Sequence, residues 1–309
     1  MRDLAATIGN TPMVELPHLT PSPRIRLHAK LEGANPSGSV KDRIARAMLE
    51  EARASGALAP GQTILEPSSG NTGISLAMLG GLLGHPVRIV MPDNTTVERE
   101  QLLRLYGAEI VASPGAEGSN GAIRLAQELL AADPSLFMPY QYGNPANPRA
   151  HEEGTGPEIL AAAPDVDLFV AGLGTGGTLT GVGRFLKRER PGVRILAAEP
   201  LPGELVQGLR SLDEGFVPPV LDASVLDDRY LVSNRDAVIA VRRLLREEGI
   251  LAGLSSGAVL HVALRATEEL EEGTIVMLLA DSGWKYLSTG IYDRPLEDLD
   301  EPLERSLLW

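Results

Sequence analysis

A chain of 309 residues with 43% apolar and 22% charged side chains is long enough for two domains sharing an interface, and that composition excludes the fibrous and disordered classes. A formal charge of −13 argues against a nucleic-acid or anionic-membrane surface, although a local basic pocket can sit within an acidic shell. The absence of cysteine excludes disulfides, thiolate zinc sites and cysteine nucleophiles together and leaves the redox compartment open.

The first ten residues lack the apolar run of a signal peptide, and no segment reaches the roughly 18 consecutive apolar residues of a membrane span. The expectation is a soluble cytoplasmic protein. Turn-rich residues 35–40 lead into a first predicted helix over 40–54, with Ser39 as cap and Gly56 as stop, which places Lys41 at the helix start. A strand over 63–66 precedes Ser-Ser-Gly-Asn-Thr-Gly at 68–73. This segment reads as a glycine-bearing anion cradle opening the next helix, where exposed N–H groups and the helix dipole favour negative charge. Strands over 87–91 and 109–112 then alternate with helices over 96–106 and 120–132. The turn-rich segment 142–148 marks a domain change, giving an N-terminal unit 1–145, whose first ~35 residues can pack on the other unit, and a C-terminal unit 146–309. After it the alternation restarts, with strands over 168–171, 194–198 and 274–279 and helices over 178–190, 235–248 and 258–270. Strands so uniformly apolar are buried on both faces of a parallel sheet. The β-α-β-α order therefore predicts a doubly wound α/β fold with mostly parallel sheets and right-handed crossovers. Residues 200–232 form too long a connection to be idle and read as a lid or a partner surface.

Gly172-Leu173-Gly174-Thr175-Gly176-Gly177 follows a predicted strand, opens a predicted helix and is followed by Glu199, 22 residues after Gly177. Those are the conditions for a dinucleotide site with an acidic residue on the ribose, so an NAD-dependent dehydrogenase is one reading. A monophosphate site and mere tight packing are the others. Two threonine hydroxyls among the glycines of 174–178 suit a terminal phosphate wrapped by backbone N–H groups and hydroxyls.

Ser-Val-Lys-Asp-Arg around Lys41, Ser-Gly-Asn-Thr-Gly at 69–73, Tyr-Gly-Asn-Pro-Ala-Asn-Pro at 142–148, Gly-Thr-Gly-Gly-Thr at 174–178 and Gly-Leu-Ser-Ser-Gly at 253–257 occur in this order over nearly the whole chain. Together they resemble the fold-type II pyridoxal phosphate enzymes, which are tryptophan synthase β-like, and within them the cysteine synthases. The resemblance implies that Lys41 binds pyridoxal 5'-phosphate and then acts as base, its pKa lowered enough for an amine to serve as nucleophile. Without the other motifs, Asp42 and Arg43 would make Lys41 an ordinary solvated first-turn lysine. It implies further that Ser68, Ser69, Gly70, Asn71 and Thr72 hold the substrate α-carboxylate, that Asn71 also reaches the cofactor ring oxygen, and that Gln141 helps hold the carboxylate with Tyr142 packing nearby. Many relatives have threonine where Ser68 stands, and the hydroxyl survives. N-capping is the plain alternative for this loop. Gly174, Thr175, Gly176, Gly177 and Thr178 would bind the cofactor phosphate. Ser255 would face the pyridine nitrogen, where a neutral hydroxyl discourages transamination and favours β-elimination; Ser256 is the alternative, or else a helix cap. No metal is implied.

The implied reaction is a β-replacement. An O-activated L-serine loses its leaving group to give α-aminoacrylate, and a sulfur nucleophile adds to give L-cysteine, with ping-pong kinetics. Residues 206–218 resemble the actinobacterial-type cysteine synthases, which use O-phosphoserine and a small thiocarboxylated sulfur-carrier protein. Arg210 suits that donor, because a guanidinium offers a phosphate bidentate bonds that acetate would not need; a salt bridge to Asp213 or Glu214 is its plain alternative. The same resemblance suggests that Leu307, Leu308 and Trp309 fold into the active-site cleft, docking on the protein's own surface or a dimer partner being the other reading, and that the protein is a homodimer. Serine or threonine dehydratase, cystathionine β-synthase and a non-catalytic cofactor-binding relative are the rival functions. Nothing in the spacing lifts Glu66, Arg149 or the five histidines above capping, surface or core roles.

Overall fold

The computed structural model describes residues 3–204 and 206–299, arranged around two sheets. The smaller is parallel and has the order β3-β4-β5: β3 is Ile64–Pro67, β4 Val87–Pro92 and β5 Glu109–Ser113. The larger has the order β1-β2-β9-β6-β7-β8, with β1 Met13–Glu15, β2 Ile25–Leu31, β6 Leu168–Gly172, β7 Arg194–Pro200, β8 Asp228–Val232 and β9 Gly273–Leu279. Among the described strands of this sheet, β1 and β2 pair antiparallel and the other neighbours pair parallel. Residues 13–31 thus belong to the sheet built mainly from the second half of the chain.

Helices α1 (Lys41–Ala54), α2 (Asn71–Leu82), α3 (Val97–Leu105) and α4 (Gly118–Ala132) precede the large-sheet strands β6 to β9. They are followed by α5 (Ala146–Ala150), a π-helical turn His151–Thr155, α6 (Gly156–Ala162), α7 (Gly177–Glu189), α8 (Asn234–Glu248) and α9 (Leu254–Thr267). The six strands and six helices expected from pattern are all present. α9, expected from 258, begins at Leu254. β8 escapes the pattern because as an edge strand it leaves Asp228, Arg229 and Leu231 exposed. The length of α2 escapes it for the opposite reason: nearly every residue is buried, so no polar face marks a helical period.

Alternation along the large sheet serves two cores. Leu168 and Val170 of β6 pack with Leu27, Ile275 and Met277 on one side, and Phe169 and Ala171 pack with Leu179, Val182, Val276 and Leu278 on the other. Each such buried aliphatic stabilises by about 1.5–3 kcal/mol relative to exposure. In the small sheet, Ile64 and Ile89 pack with Ile74 and Leu103 on one face while Leu65 and Val90 meet Ala122 and Ala126 on the other. The carboxyl ends of β3, β6 and β9 consequently open onto one cleft, the place where α/β sheets bind ligands. The long connection after β7 forms part of the cleft wall, with Val206, Gly208, Leu209 and Arg210 facing in, and the Val220 N–H bonds the Tyr142 carbonyl at 3.1 Å. Among the described residues no helix is long and apolar enough to cross a membrane. The tail residues Leu307, Leu308 and Trp309 lie outside the described residues.

Candidate active site

The turn at 35–40 is stitched to the end of β9: the Val40 N–H bonds the Ala280 carbonyl at 2.8 Å and Ser39 bridges Asp281. Lys41 follows as the first residue of α1 and lines the cleft. Its neighbours are not solvated. Asp42 is fully buried, accepting the Ser37 N–H at 2.7 Å and the Ser37 hydroxyl. Arg43, also buried, donates to Glu32 at 2.7 and 2.9 Å and to Glu158 at 2.7 Å. The reading of Lys41 as a surface first-turn lysine therefore fails, since the charges beside it are committed to interior partners. Burial pushes the Lys41 amine below its ordinary value, with the Asp281 and Glu32 carboxylates opposing. A neutral amine at accessible pH is what a nucleophile or base requires.

The loop after β3 brings Ser68, Ser69, Gly70, Asn71 and Thr72 to the same cleft. The Ser68 hydroxyl accepts the N–H groups of Gly70 and Gly73 at 3.2 and 3.0 Å, so it caps α2. The amides of Asn71 and Thr72, at the first turn, have no intrahelical acceptor. Thr72 donates to the Gln141 side-chain oxygen at 2.6 Å, and Gln141 donates in turn to the Pro67 carbonyl at 3.2 Å. The Asn71 carboxamide is tied at both ends, donating to Asp281 at 2.8 Å and accepting from Lys285 at 2.7 Å. Sequence reasoning found the loop but not these two partners, which arrive from beyond β9.

At the end of β6 the chain turns through Gly174, Thr175 and Gly176 into α7. Gly176 has φ +83° and a Cβ there would meet Leu221; a Cβ at Gly174 would lie 2.7 Å from the Gly208 carbonyl oxygen. Gly174, Thr175, Gly176 and Thr178 line the inner part of the cleft. Gly177 does not: it packs on Asn147, and its N–H bonds the Thr175 hydroxyl at 3.3 Å. His151 sits behind the cradle, its Nε2 3.2 Å from the Thr178 hydroxyl and its Nδ1 2.9 Å from that of Thr155. Burial holds the imidazole well below its ordinary value, Arg43 and Lys41 adding in the same direction, so the ring is neutral. His151 and Glu66 both keep interior roles, since neither lines the cleft, but each holds a neighbour that does. Glu66 is fully buried and accepts the N–H groups of Tyr140 and Gln141 at 2.7 and 2.9 Å; burial pushes its carboxyl up to about 8 against those two bonds. Its contacts fix the backbone that presents Gln141, next to Tyr140 at φ +56°.

Ser255 lies in the first turn of α9, and its side chain makes no hydrogen bond to the described residues while lining both parts of the cleft. Ser256 is fully buried, its hydroxyl has no partner among the described residues and it does not line the cleft. Arg210 donates to the Asn120 side-chain oxygen at 2.9 Å and stacks 5.5 Å from the Tyr142 ring and 4.7 Å from the Phe216 ring. Among the described residues it pairs with no carboxylate, so the plain salt bridge to Asp213 is absent. Arg99 and Tyr286 also line the cleft, and no sequence motif marked either.

This geometry can be tested against known groups. The cleft brings Lys41, Arg99, Arg210 and Ser255 to one concave space, as small-ligand sites do with a few convergent polar groups. A glycine cradle at a helix start suits a phosphate, and a desolvated lysine amine suits an aldehyde. The alternative dinucleotide reading needs Glu199 for a ribose, yet Glu199 is fully buried, accepting the Leu212 N–H at 3.1 Å and pairing with Arg229 at 3.2 Å. A family model described as "Pyridoxal-phosphate dependent enzyme" matches residues 4–281. The chain belongs to that family. It is a fold-type II enzyme whose cofactor is pyridoxal phosphate, and the NAD-dependent reading is set aside. Proteins named cysteine synthase from Staphylococcus aureus strains Mu50, N315 and MW2 are each 44% identical over 300 residues, covering 94% of this chain and 96% of theirs. The crystal structure of an O-ureido-L-serine synthase aligns with TM-score 0.89 and 43% identity, covering 95% of both chains. That of a hydrogen sulfide-producing enzyme from Fusobacterium nucleatum aligns with TM-score 0.89 and 37% identity, covering 93% of this chain and 99% of that one.

Proposed function

We propose that the protein is a cysteine synthase that replaces the β-substituent of an activated L-serine with sulfur, using O-phosphoserine in preference to O-acetylserine. Bound in the cleft, pyridoxal phosphate supplies an electron sink that acidifies the substrate Cα–H and lets the β-substituent leave. In this reading Lys41 holds the cofactor, and once released its amine takes the Cα proton and returns it after sulfur has added. Gly174, Thr175, Gly176 and Thr178 hold the cofactor phosphate, with Gly177 shaping the cradle from behind. Ser255 meets the pyridine nitrogen with a neutral hydroxyl. Ser68 to Thr72 and Gln141 take the α-carboxylate. In balance, the Cβ–O bond breaks with the phosphate keeping the electron pair, a Cβ–S bond forms and Cα regains its proton. The sulfur comes as sulfide, or as the thiocarboxylate of a small carrier protein, in which case the product is first a thioester and water must cleave the carrier's acyl C–S bond to free L-cysteine and the carrier carboxylate. Similarity to the named cysteine synthases supports the reaction class.

The observation that carries the donor is Arg210. It is buried, flanked by Tyr142 and Phe216, paired with no carboxylate among the described residues, and lines the cleft shared with Lys41. A desolvated guanidinium of this kind calls for an anion, and charge-assisted bonds to a phosphate are roughly twice as strong as neutral ones. The test is kcat/KM for both donors in the wild type and in Arg210→Ala, with product identified. Removing a hydrogen bond to a charged group is worth about 1.5–3 kcal/mol, so the variant should lose about 10–100-fold on O-phosphoserine and far less on O-acetylserine. An equal loss on both donors refutes the phosphate role, and release of a keto acid in place of cysteine refutes the synthase reading.

A further inference from the structure

We infer that Arg99 is a second substrate-binding arginine of this cleft, supplying the positive charge that holds the α-carboxylate of the amino acid. The inference rests on the reading of the cleft as an amino-acid site but not on the choice of donor. Arg99 lies in the first turn of α3 and is 3% exposed. Its side chain packs directly on the carboxylate loop: a Cβ built on Gly70 would lie 2.6 Å from Arg99 Cδ and 2.8 Å from Nε. The guanidinium sits 4.7 Å from the centre of the Tyr286 ring, and its Nε has no hydrogen-bond partner among the described residues. No carboxylate pairs with it among the described residues. Asp281, which is bonded to the same Tyr286, accepts the Tyr286 hydroxyl and the Asn71 amide, each at 2.8 Å.

Nearly complete burial of a cation with no anion is costly unless a ligand supplies the charge. Arg99 lines the cleft beside Ser69, Gly70, Thr72 and Gln141. That loop offers N–H groups, hydroxyls and a carboxamide but no full positive charge, and the nearby Lys285 amine is committed to Asn71. Arg210 is anchored elsewhere, on Asn120 between Tyr142 and Phe216. The two buried arginines thus divide the substrate, one at its carboxylate and one at its β-substituent. The contacts with Tyr286, ring and hydroxyl, hold the guanidinium in place, but they supply no negative charge.

The experiment titrates the holoenzyme with L-serine and with L-serinamide, which has a neutral amide in place of the carboxylate, and follows the change in the cofactor's visible absorbance. Arg99→Met should weaken L-serine about 10–100-fold, the loss expected for a charge-assisted bond, with L-serinamide little changed, and Arg99→Lys should recover part of the L-serine affinity. Parallel weakening of both ligands, or no weakening of L-serine, overturns the inference. Both phosphorylated and acetylated donors carry the carboxylate, so Arg99→Met keeps whatever preference the wild type shows between them. Failure of the Arg210 test therefore leaves the Arg99 result readable, and the reverse holds as well.

Discussion

Burial makes the Lys41 ammonium costly, because the cleft replaces water with the walls of α1, the 68–72 loop and the start of α9. Asp281 and Glu32 act against that shift, and the competition leaves an amine that gives up its proton more readily than a surface lysine does. Lys41→Ala should abolish both the visible absorbance of bound cofactor and turnover. Borohydride reduction of the wild type should leave cofactor mass on the peptide containing Lys41, read by mass spectrometry; cofactor found on another lysine, such as the buried Lys285, would refute the assignment. Lys285 is a demanding comparison, since burial pushes its amine down to about 8, yet its donation to Asn71 makes it a positioning residue.

Among the elements, the entry to α7 depends on α5. Asn147 donates to the Gln141 carbonyl at 2.8 Å and to the Thr175 hydroxyl at 3.1 Å, and Gly177 packs against the same carboxamide. A methyl group at 177 must push Asn147 away from both. Gly177→Ala should cost about 1–3 kcal/mol, as overpacking does, and it should appear as roughly 10–100-fold weaker retention of pyridoxal phosphate. Gly192→Ala, where a Cβ would meet nothing within 4 Å, is the control. Equal cofactor dissociation constants for the two variants would show that the cradle tolerates the shift. The helix that follows the 68–72 loop, α2, has almost no polar face, and a helix of that kind holds its position by packing rather than by any periodic signal.

Across the whole molecule, a buried ion network joins segments from both halves of the chain. Glu158 of α6 accepts Arg43 of α1 at 2.7 Å and pairs with Lys30 of β2 at 2.7 Å, and Arg43 also pairs with Glu32. Burial pushes the Glu158 carboxyl up, but Arg43 and Lys30 more than reverse this and leave it at about 2, against 4.5 for the free group. A carboxyl depressed on folding contributes stability that is present above its unfolded value and is lost as pH falls toward its folded one. Urea denaturation should therefore show stability falling from pH 4.5 toward 2. Glu158→Gln should be about 3 kcal/mol less stable near neutrality, the low end of the cost of breaking a buried pair, and its acid slope should be shallower. A slope equal to the wild type would place the acid sensitivity elsewhere.

The motifs legible in the sequence are those in which a strand turns into a helix beside the cleft. Gly176 at positive φ, Gly174 against Gly208 and the Ser68 cap are local backbone demands, and local demands are written in neighbouring letters. The parallel α/β architecture was legible for a similar reason, since strands buried on both faces must be apolar along their length. Arg99, Asp281, Lys285, Tyr286 and His151 carry no such mark. Each acquires its place from a partner distant in the chain: Gly70 for Arg99, Asn71 for Asp281 and Lys285, Arg99 for Tyr286, Thr178 for His151. By itself the sequence determined the cofactor class and the loops that line the cleft. Tertiary structure decided which charges stay unpaired inside the cleft, because the energy of a buried charge depends on what packing brings beside it.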